Sequence, residues 1–351
     1  MNDSESSDSG GFDSNSTATR NLGSLNEWHK IVMSQLSPEA QTFLIVLYSL
    51  TTFSSVFGNI LSIIVFAKGK KCKTDIKPFL LNLAVSDLIM ALFCIPFTLM
   101  VVLFHIWLLS PIMCTLVSFL QVFSVTMSSS TNIAIAIDRL IAVLFPLRIR
   151  ITSSRSSCTI ALIWLFSVAI ASAELFVARA AEVYFQGDIV KVCVETWEKP
   201  LLGLIYWWLN TVCLCFIPFI VLMVTYSILV NVLWKRRAPG NEDTSRDQLA
   251  IRAKRKVVKM LLTIVVMFGV CWTPLGIIIM FLEYNNDLVF TPGSKLMSIY
   301  IALHWLAMAH SSVNPIIYGF MNDNFRDDLK GLFKKLRLFS SVRSASTEHA
   351  P

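Results

Sequence analysis

The side chains in this sequence that could do chemistry are polar residues set singly inside long apolar runs. Asp87 stands in Asn82-Leu83-Ala84-Val85-Ser86-Asp87-Leu88, and Asn59 follows Gly58 in an equally apolar stretch. Gln121, Ser124, Ser128, Thr131 and Asn132 line one run at helical spacing, and that run ends at Asp138-Arg139-Leu140. His304, His310, Ser311, Ser312 and Asn314 share another. A charge or amide in apolar surroundings is costly unless partnered, so each of these residues is a functional candidate. Asp87 needs polar partners or a cation, and Asn59, Ser128, Ser311 and Asn314 are the residues able to provide contacts. Enzyme chemistry is poorly served. The five His show no pair at metal-ligand spacing, and no Gly-rich phosphate loop follows a strand. A Ser–His–Asp set drawn from His310 and Asp87 has nothing to order it. An ion path through Asp87 would suit a transporter or channel, the rival class, although no internal repeat is present to support a repeat-built transporter.

These residues must be positioned by membrane helices. The chain has 351 residues, of which 55% are hydrophobic and only 15% charged, too apolar for two or three soluble domains. Seven runs reach the roughly 20 apolar residues that a span requires, at about 41–67, 77–102, 112–144, 157–177, 204–234, 257–282 and 296–321. They read as helices, because an open strand in lipid leaves backbone groups unpaired. No run alternates as barrel strands do. The odd connections and the segment after the last run hold most of the Lys and Arg, which places them in the cytoplasm and the N-terminus outside. The same topology accounts for the net charge of +7 without nucleic acid. Residues 1–40 read as a disordered extracellular tail and 41–322 as the bundle. Residues 323–338 read as a basic amphipathic helix on the inner leaflet, and 339–351 as a cytoplasmic tail. The N-terminal tail has no early apolar run, so the first span is expected to act as the insertion signal. Asn2 and Asn15 fit the glycosylation sequon. Pro218, Pro274 and Pro315 fall inside the last three spans and predict kinks there. Cys114 and Cys193 fall outside, where an oxidising exterior would let them pair.

Taken in order, Gly58-Asn59, the Leu83–Asp87 stretch, Trp107, Cys114, Asp138-Arg139-Leu140, Trp164 and Cys193 form one series. It continues with Pro218 and Tyr226, Phe268 with Cys271-Trp272-Thr273-Pro274, Asn314-Pro315-Ile316-Ile317-Tyr318, and Phe325-Arg326. In this order and spacing the chain resembles the rhodopsin-like (class A) G-protein-coupled receptors over about residues 40–336. The fold implied is all-α, a seven-helix membrane bundle with a short juxtamembrane helix. By position the resemblance implies a disulfide between Cys114 and Cys193. It makes Arg139 the cytoplasmic switch, held by Asp138 when off and released toward Tyr226, Tyr318 and a heterotrimeric G protein when on. Trp272, Phe268 and Pro274 would relay ligand binding to span 6, and Asp87, Ser128 and Asn314 would line an allosteric sodium site. Arrestin, a receptor kinase and membrane lipid are further partners of such receptors. The chain departs from the pattern in having Leu140 after the Asp-Arg pair and His310 where the sodium site often has Asn. Its span 6 begins with Lys254-Arg255-Lys256 where some members carry an acid. An Arg139–acid lock to span 6 is therefore not expected.

The ligand follows by elimination and then by likeness. Gln121 stands where aminergic members need Asp, and Met308 where visual pigments need Lys. Thr98, Gln121 and His304 resemble the pocket for amidated C-termini in receptors of the neuropeptide Y and RFamide type, and suit a neutral primary amide. Glu283 matches the acid that pairs with a peptide arginine in those receptors. Glu174, Glu182, Glu195, Glu198 and Asp287 make the mouth acidic, a field that attracts a basic peptide. The expectation is a plasma-membrane receptor for an amidated, basic neuropeptide. The alternatives are another peptide, a non-peptide ligand, or mere mutual pairing of Gln121 with His304.

Overall fold

Hydrogen bonding inside the chain decides the architecture, because apolar surroundings offer backbone groups no other partner. The computed structural model describes residues 37–72, 76–104, 106–145, 153–185, 188–235, 244–284 and 295–334. Asn2, Asn15, Asp287 and the tail from 339 lie outside the described residues.

Span 1 is α1 (Pro38–Lys68). Ser37 caps it by accepting a bond from the Ala40 N–H at 3.3 Å, and Pro38 fills a first-turn position that lacks a partner anyway. Span 2 consists of α2 (Lys77–Phe93) and α3 (Ile95–Phe104). Span 3 is α4 (Pro111–Leu144), and span 4 is α5 (Ser153–Ala171) with the short α6 (Glu174–Val177). Span 5 is α7 (Pro200–Thr211), a π turn (Val212–Phe216) and α8 (Ile217–Lys235). Span 6 is α9 (Thr244–Tyr284), span 7 is α10 (Leu296–Met321), and α11 covers 323–334. All seven helices are long and apolar enough to cross a membrane, and their edges fall close to the expected ones. The surface is inverted relative to a soluble protein. Phe53, Ile112 and Phe320 are exposed, whereas Ser55, Asn59, Thr126 and Thr131 are buried. The chain is a multi-pass membrane protein.

Three features differ from the sequence reading. Span 2 breaks at Cys94, because Pro96 removes a ladder donor; kinks had been assigned to spans 5, 6 and 7 alone. Span 5 is interrupted by the π turn ahead of Pro218, where the Ser129 hydroxyl donates to the Leu214 carbonyl at 3.2 Å. Between spans 4 and 5, β1 (Ala178–Phe185) pairs antiparallel with β2 (Asp188–Glu195). The alternation of Val190, Val192 and Val194 with polar or small neighbours was the available signal for that hairpin.

The junction of spans 1 and 7 with α11 is tightly organised. The Phe66, Tyr318 and Phe325 rings pack in a triangle with centroids 5.3–5.9 Å apart. The Asp328 carboxylate accepts bonds from the backbone N–H groups of Lys70, Lys71 and Cys72 at 2.9–3.2 Å, and the Lys71 ammonium donates to Asp327 at 2.6 Å. That bond holds the Asp327 carboxyl below the usual carboxylate range and lifts Lys71 above the usual ammonium value. A lowered carboxyl pKa contributes stability above the unfolded value and loses it as pH falls through the folded value. Hydrogen exchange in 323–334, corrected for intrinsic rates, should therefore stay slow at neutral pH and accelerate only below about pH 4. Spans 1 and 7 also meet at Gly58, where an added Cβ would lie 2.8 Å from the Pro315 Cβ. Gly58→Ala should cost about 1–3 kcal/mol of stability. Gly319→Ala, with no atom within 4 Å, should not, as thermal unfolding in detergent will show.

Candidate functional site

At the outer end, the hairpin is fastened over the bundle. Cys193 of β2 is disulfide-bonded to Cys114 at the start of span 3, with Cα atoms 5.6 Å apart. The Thr115 hydroxyl donates to the Ala178 carbonyl at 2.7 Å, and the Trp107 N–H donates to the Lys191 carbonyl at 2.6 Å. Below the hairpin, Gln121 of span 3 and His304 of span 7 approach to 3.4 Å between their Nε2 atoms. Tyr300 stacks on His304 at 5.6 Å. Thr98 lies on α3, beyond the break in span 2, and is half-buried. Glu283 lies in the last turn of span 6, and its side chain is outside the described residues.

Glu174 is not the solvated rim acid that its position suggested. It is 1% exposed, and the Tyr206 hydroxyl donates to its Oε1 at 3.0 Å, while Oε2 has no partner. Trp197 packs on Tyr206 with ring centroids 5.0 Å apart and donates its indole N–H to Glu195 at 3.0 Å. Two acids and two aromatic rings thus meet between spans 4 and 5 and the end of β2. Trp197 and Tyr206 had no place in the sequence reading. Their signal was their nearness to Glu195 and to the start of an apolar run.

In the middle of the bundle, Asp87 is 3% exposed and accepts a bond from the Asn314 amide at 2.7 Å. Of the four expected suppliers, only Asn314 bonds it directly. Asn59 instead donates to the Ser55 and Ser311 carbonyls at 2.9 and 2.8 Å, and the Ser55 and Ser311 hydroxyls bond each other at 2.7 Å. Those contacts tie span 1 to span 7. The oxygens of Ser128 and Asn314 (Oγ and Oδ1) are buried and have no protein partner. Asp87, Ser128, His310 and Ser311 line a small cavity, about the size of one water, whose wall includes Trp272 and Phe268. Phe268 meets His310 edge-on at 5.4 Å and Trp272 at 6.4 Å. The cavity thus sets one carboxylate and a few hydroxyls among apolar side chains such as Met90, Val125 and Met308.

At the inner end, the Arg139 guanidinium bonds its neighbour Asp138, with Nε donating at 2.9 Å. Tyr226 and Tyr318 are both buried, and the Tyr318 hydroxyl has no partner. Neither bonds Arg139. Asn82 links three spans: it donates to the Thr131 hydroxyl at 2.8 Å and accepts from the Trp164 indole at 2.8 Å. Lys256 of span 6 pairs with Asp323 at the start of α11, a contact that no sequence pattern announced. The fold therefore assembles three polar layers, at the hairpin end, in the mid-bundle cavity and around Asp138 and Arg139, and helical spacing along spans 3 and 7 connects them.

Comparison with known proteins agrees with this arrangement. Residues 58–318 match the family described as 7 transmembrane receptor (rhodopsin family). A QRFP-like peptide receptor of Branchiostoma floridae is 30% identical over 309 residues, covering 87% of this chain and 80% of that protein. A RYamide receptor of Tribolium castaneum is 32% identical over 293 residues, covering 80% and 77%. Neuropeptide FF receptor 1 of Homo sapiens is 30% identical over 332 residues, covering 91% and 76%. That family match runs from Gly58 in span 1 to Tyr318 in span 7 and includes Cys114, Cys193, Asp138 and Arg139. The chain belongs to the rhodopsin family of 7 transmembrane receptors, which are receptors and not enzymes.

Proposed function

We propose that this chain is a plasma-membrane receptor for an extracellular neuropeptide whose C-terminus is amidated and which carries a basic residue. The observation that carries the reading is the likeness to receptors named for QRFP-like peptide, RYamide and neuropeptide FF; Gln121 and His304 bond each other at 3.4 Å between spans 3 and 7, a pairing the ligand amide would replace. The donors and acceptors of that pair are neutral, so a primary amide can exchange hydrogen bonds there without burying a charge. The basic residue would be met by Glu283 and by Glu195 with the Trp197 and Tyr206 rings beside it, where a cation gains both charge pairing and ring contact, while buried Glu174 holds Tyr206 in place.

In this reading the ligand acts through Trp272 and Phe268, which line the mid-bundle cavity, and span 6 pivots at Pro274. The cytoplasmic end of span 6 then moves outward and exposes Arg139 to a heterotrimeric G protein. Ligand and G protein each stabilise the same open arrangement, which is the differential affinity that coupling requires. A sodium ion held by Asp87, Ser128 and Asn314 would neutralise the buried carboxylate and favour the closed form. His310 in the wall would lower its affinity. A receptor kinase and arrestin would follow on the cytoplasmic side.

Two measurements test this. In cells expressing promiscuous G proteins, an Arg-aromatic amide should activate the receptor, and the matching free acid should be at least about tenfold weaker, a difference of 1.4 kcal/mol. Gln121→Ala and His304→Ala should erase the difference between amide and acid while surface expression holds. Equal potency of amide and acid would favour a different peptide. Separately, replacing potassium with sodium should lower basal signalling in the parent chain and have no effect in Asp87→Asn.

A further inference from the structure

Outward movement of span 6 requires that something hold it inward beforehand, and the usual candidate is missing. Residues 254–256 are Lys, Arg and Lys, so the inner end of span 6 offers Arg139 no carboxylate there. Arg139 is engaged by Asp138 on its own helix. Among the described residues, span 6 makes an ionic contact across this face: the Lys256 ammonium donates to Asp323 at the head of α11. Asp323 is also paired with Arg326, one turn later, which fixes the carboxylate toward the bundle. Its position at the N-terminus of α11 favours the negative charge.

What gives this contact leverage is the rigidity of its far side. The helix α11 is clamped by the Asp328 carboxylate on three successive backbone N–H groups, by Lys71–Asp327, and by the Phe66–Tyr318–Phe325 ring triangle. Spans 1 and 7 and the first loop are all tied to it. A tether from span 6 to α11 is therefore a tether to a fixed post. A neighbouring contact acts in the same sense: the Arg255 guanidinium donates to the Leu233 carbonyl of span 5 at 2.9 and 3.2 Å and stacks over the Trp234 ring at 5.1 Å.

We propose that the Lys256–Asp323 pair is a latch that holds span 6 closed, with its polarity reversed relative to an Arg139–acid lock: the cation stands on span 6 and the acid on the juxtamembrane helix. The proposal rests on the reading that span 6 swings outward to signal. Both side chains are about half exposed, so the latch is weak and salt-sensitive, as a receptor that must open readily requires.

The test is a charge-swap cycle on the full chain in lipid nanodiscs and in cells. Lys256→Ala and Asp323→Asn should each raise basal signalling about two- to fivefold, the range set by an exposed ion pair. The exchange of both charges, Lys256→Asp with Asp323→Lys, should return it to the parent level. Spin labels at Arg252→Cys and Lys334→Cys read the span 6–α11 distance without any G protein. Longer distances in both single variants, restored by the swap and mimicked by high salt, would support the latch. Unchanged distances in the singles, or no recovery in the swap at equal surface expression, would overturn it. If the distances follow the latch but neither basal nor peptide-driven signalling is ever seen, the latch stands and the G-protein reading fails.

Discussion

A chain in lipid can satisfy its backbone only from within, and most features of this molecule follow from that constraint. It forces the seven spans to be helices, and it makes every interruption a local problem with a local solution. Where Pro96 removes a donor, span 2 divides at Cys94 and resumes. Where span 5 widens into a π turn, the Ser129 hydroxyl bonds the Leu214 carbonyl. Several buried hydroxyls, including those of Thr51, Thr126 and Thr131, bond the carbonyl four residues earlier on their own helices. Such bonds let polar side chains enter the bundle without orphaning a donor.

The same constraint concentrates the remaining polar groups in the interior. Asp87 could not be carried at the bundle centre by apolar neighbours, and Asn314 alone gives it one hydrogen bond. Around them lie oxygens with no protein partner, beside a small cavity whose lining includes Trp272 and Phe268. A well-packed apolar core tends to hold one arrangement. A half-satisfied polar pocket has others within a few kcal/mol, and this is the property a ligand-biased switch needs. The cavity lies between the Gln121–His304 contact and the tyrosines near Arg139, so a small shift of span 6 or span 7 is felt at both ends.

Rigidity is distributed unevenly, and the unevenness has a mechanical sense. The hairpin is fixed to span 3 by a disulfide and a hydrogen bond from Thr115, and to the connection before span 3 by a hydrogen bond from the Trp107 backbone N–H. Spans 1 and 7 are fixed to each other by the Gly58–Pro315 approach and by Asn59, and to α11 by rings and carboxylates. The inner end of span 6 buries Val258, Met260, Leu261, Ile264 and Val265 in the apolar core, and its described polar ties are the Lys256–Asp323 pair, the Arg255–Leu233 bonds and the contacts of Arg255 and Lys259 with Trp234. Apolar contacts are non-directional, so these polar ties are the directed bonds that a swing of span 6 must break.

The sequence by itself determined the class and the number of spans, because length and apolarity act locally along the chain, and its ordered motifs determined the family. Single motif residues such as Asp87, Arg139, Trp272 and Asn314 were legible for the same reason: a polar or bulky residue inside an apolar run stands out without knowledge of its neighbours. The tertiary structure alone decided who meets whom. Asn59 serves Ser55 and Ser311 instead of Asp87, and Glu174 is buried under Tyr206 instead of lining an open rim. Lys256 finds Asp323, 67 residues away in sequence. These partners depend on helix rotation about the axis and on the breaks in spans 2 and 5. A rotation of one residue step moves a side chain by about 100°, and periodicity fixes a face only to within that uncertainty when the apolar stripe is broad and lipid accepts the rest.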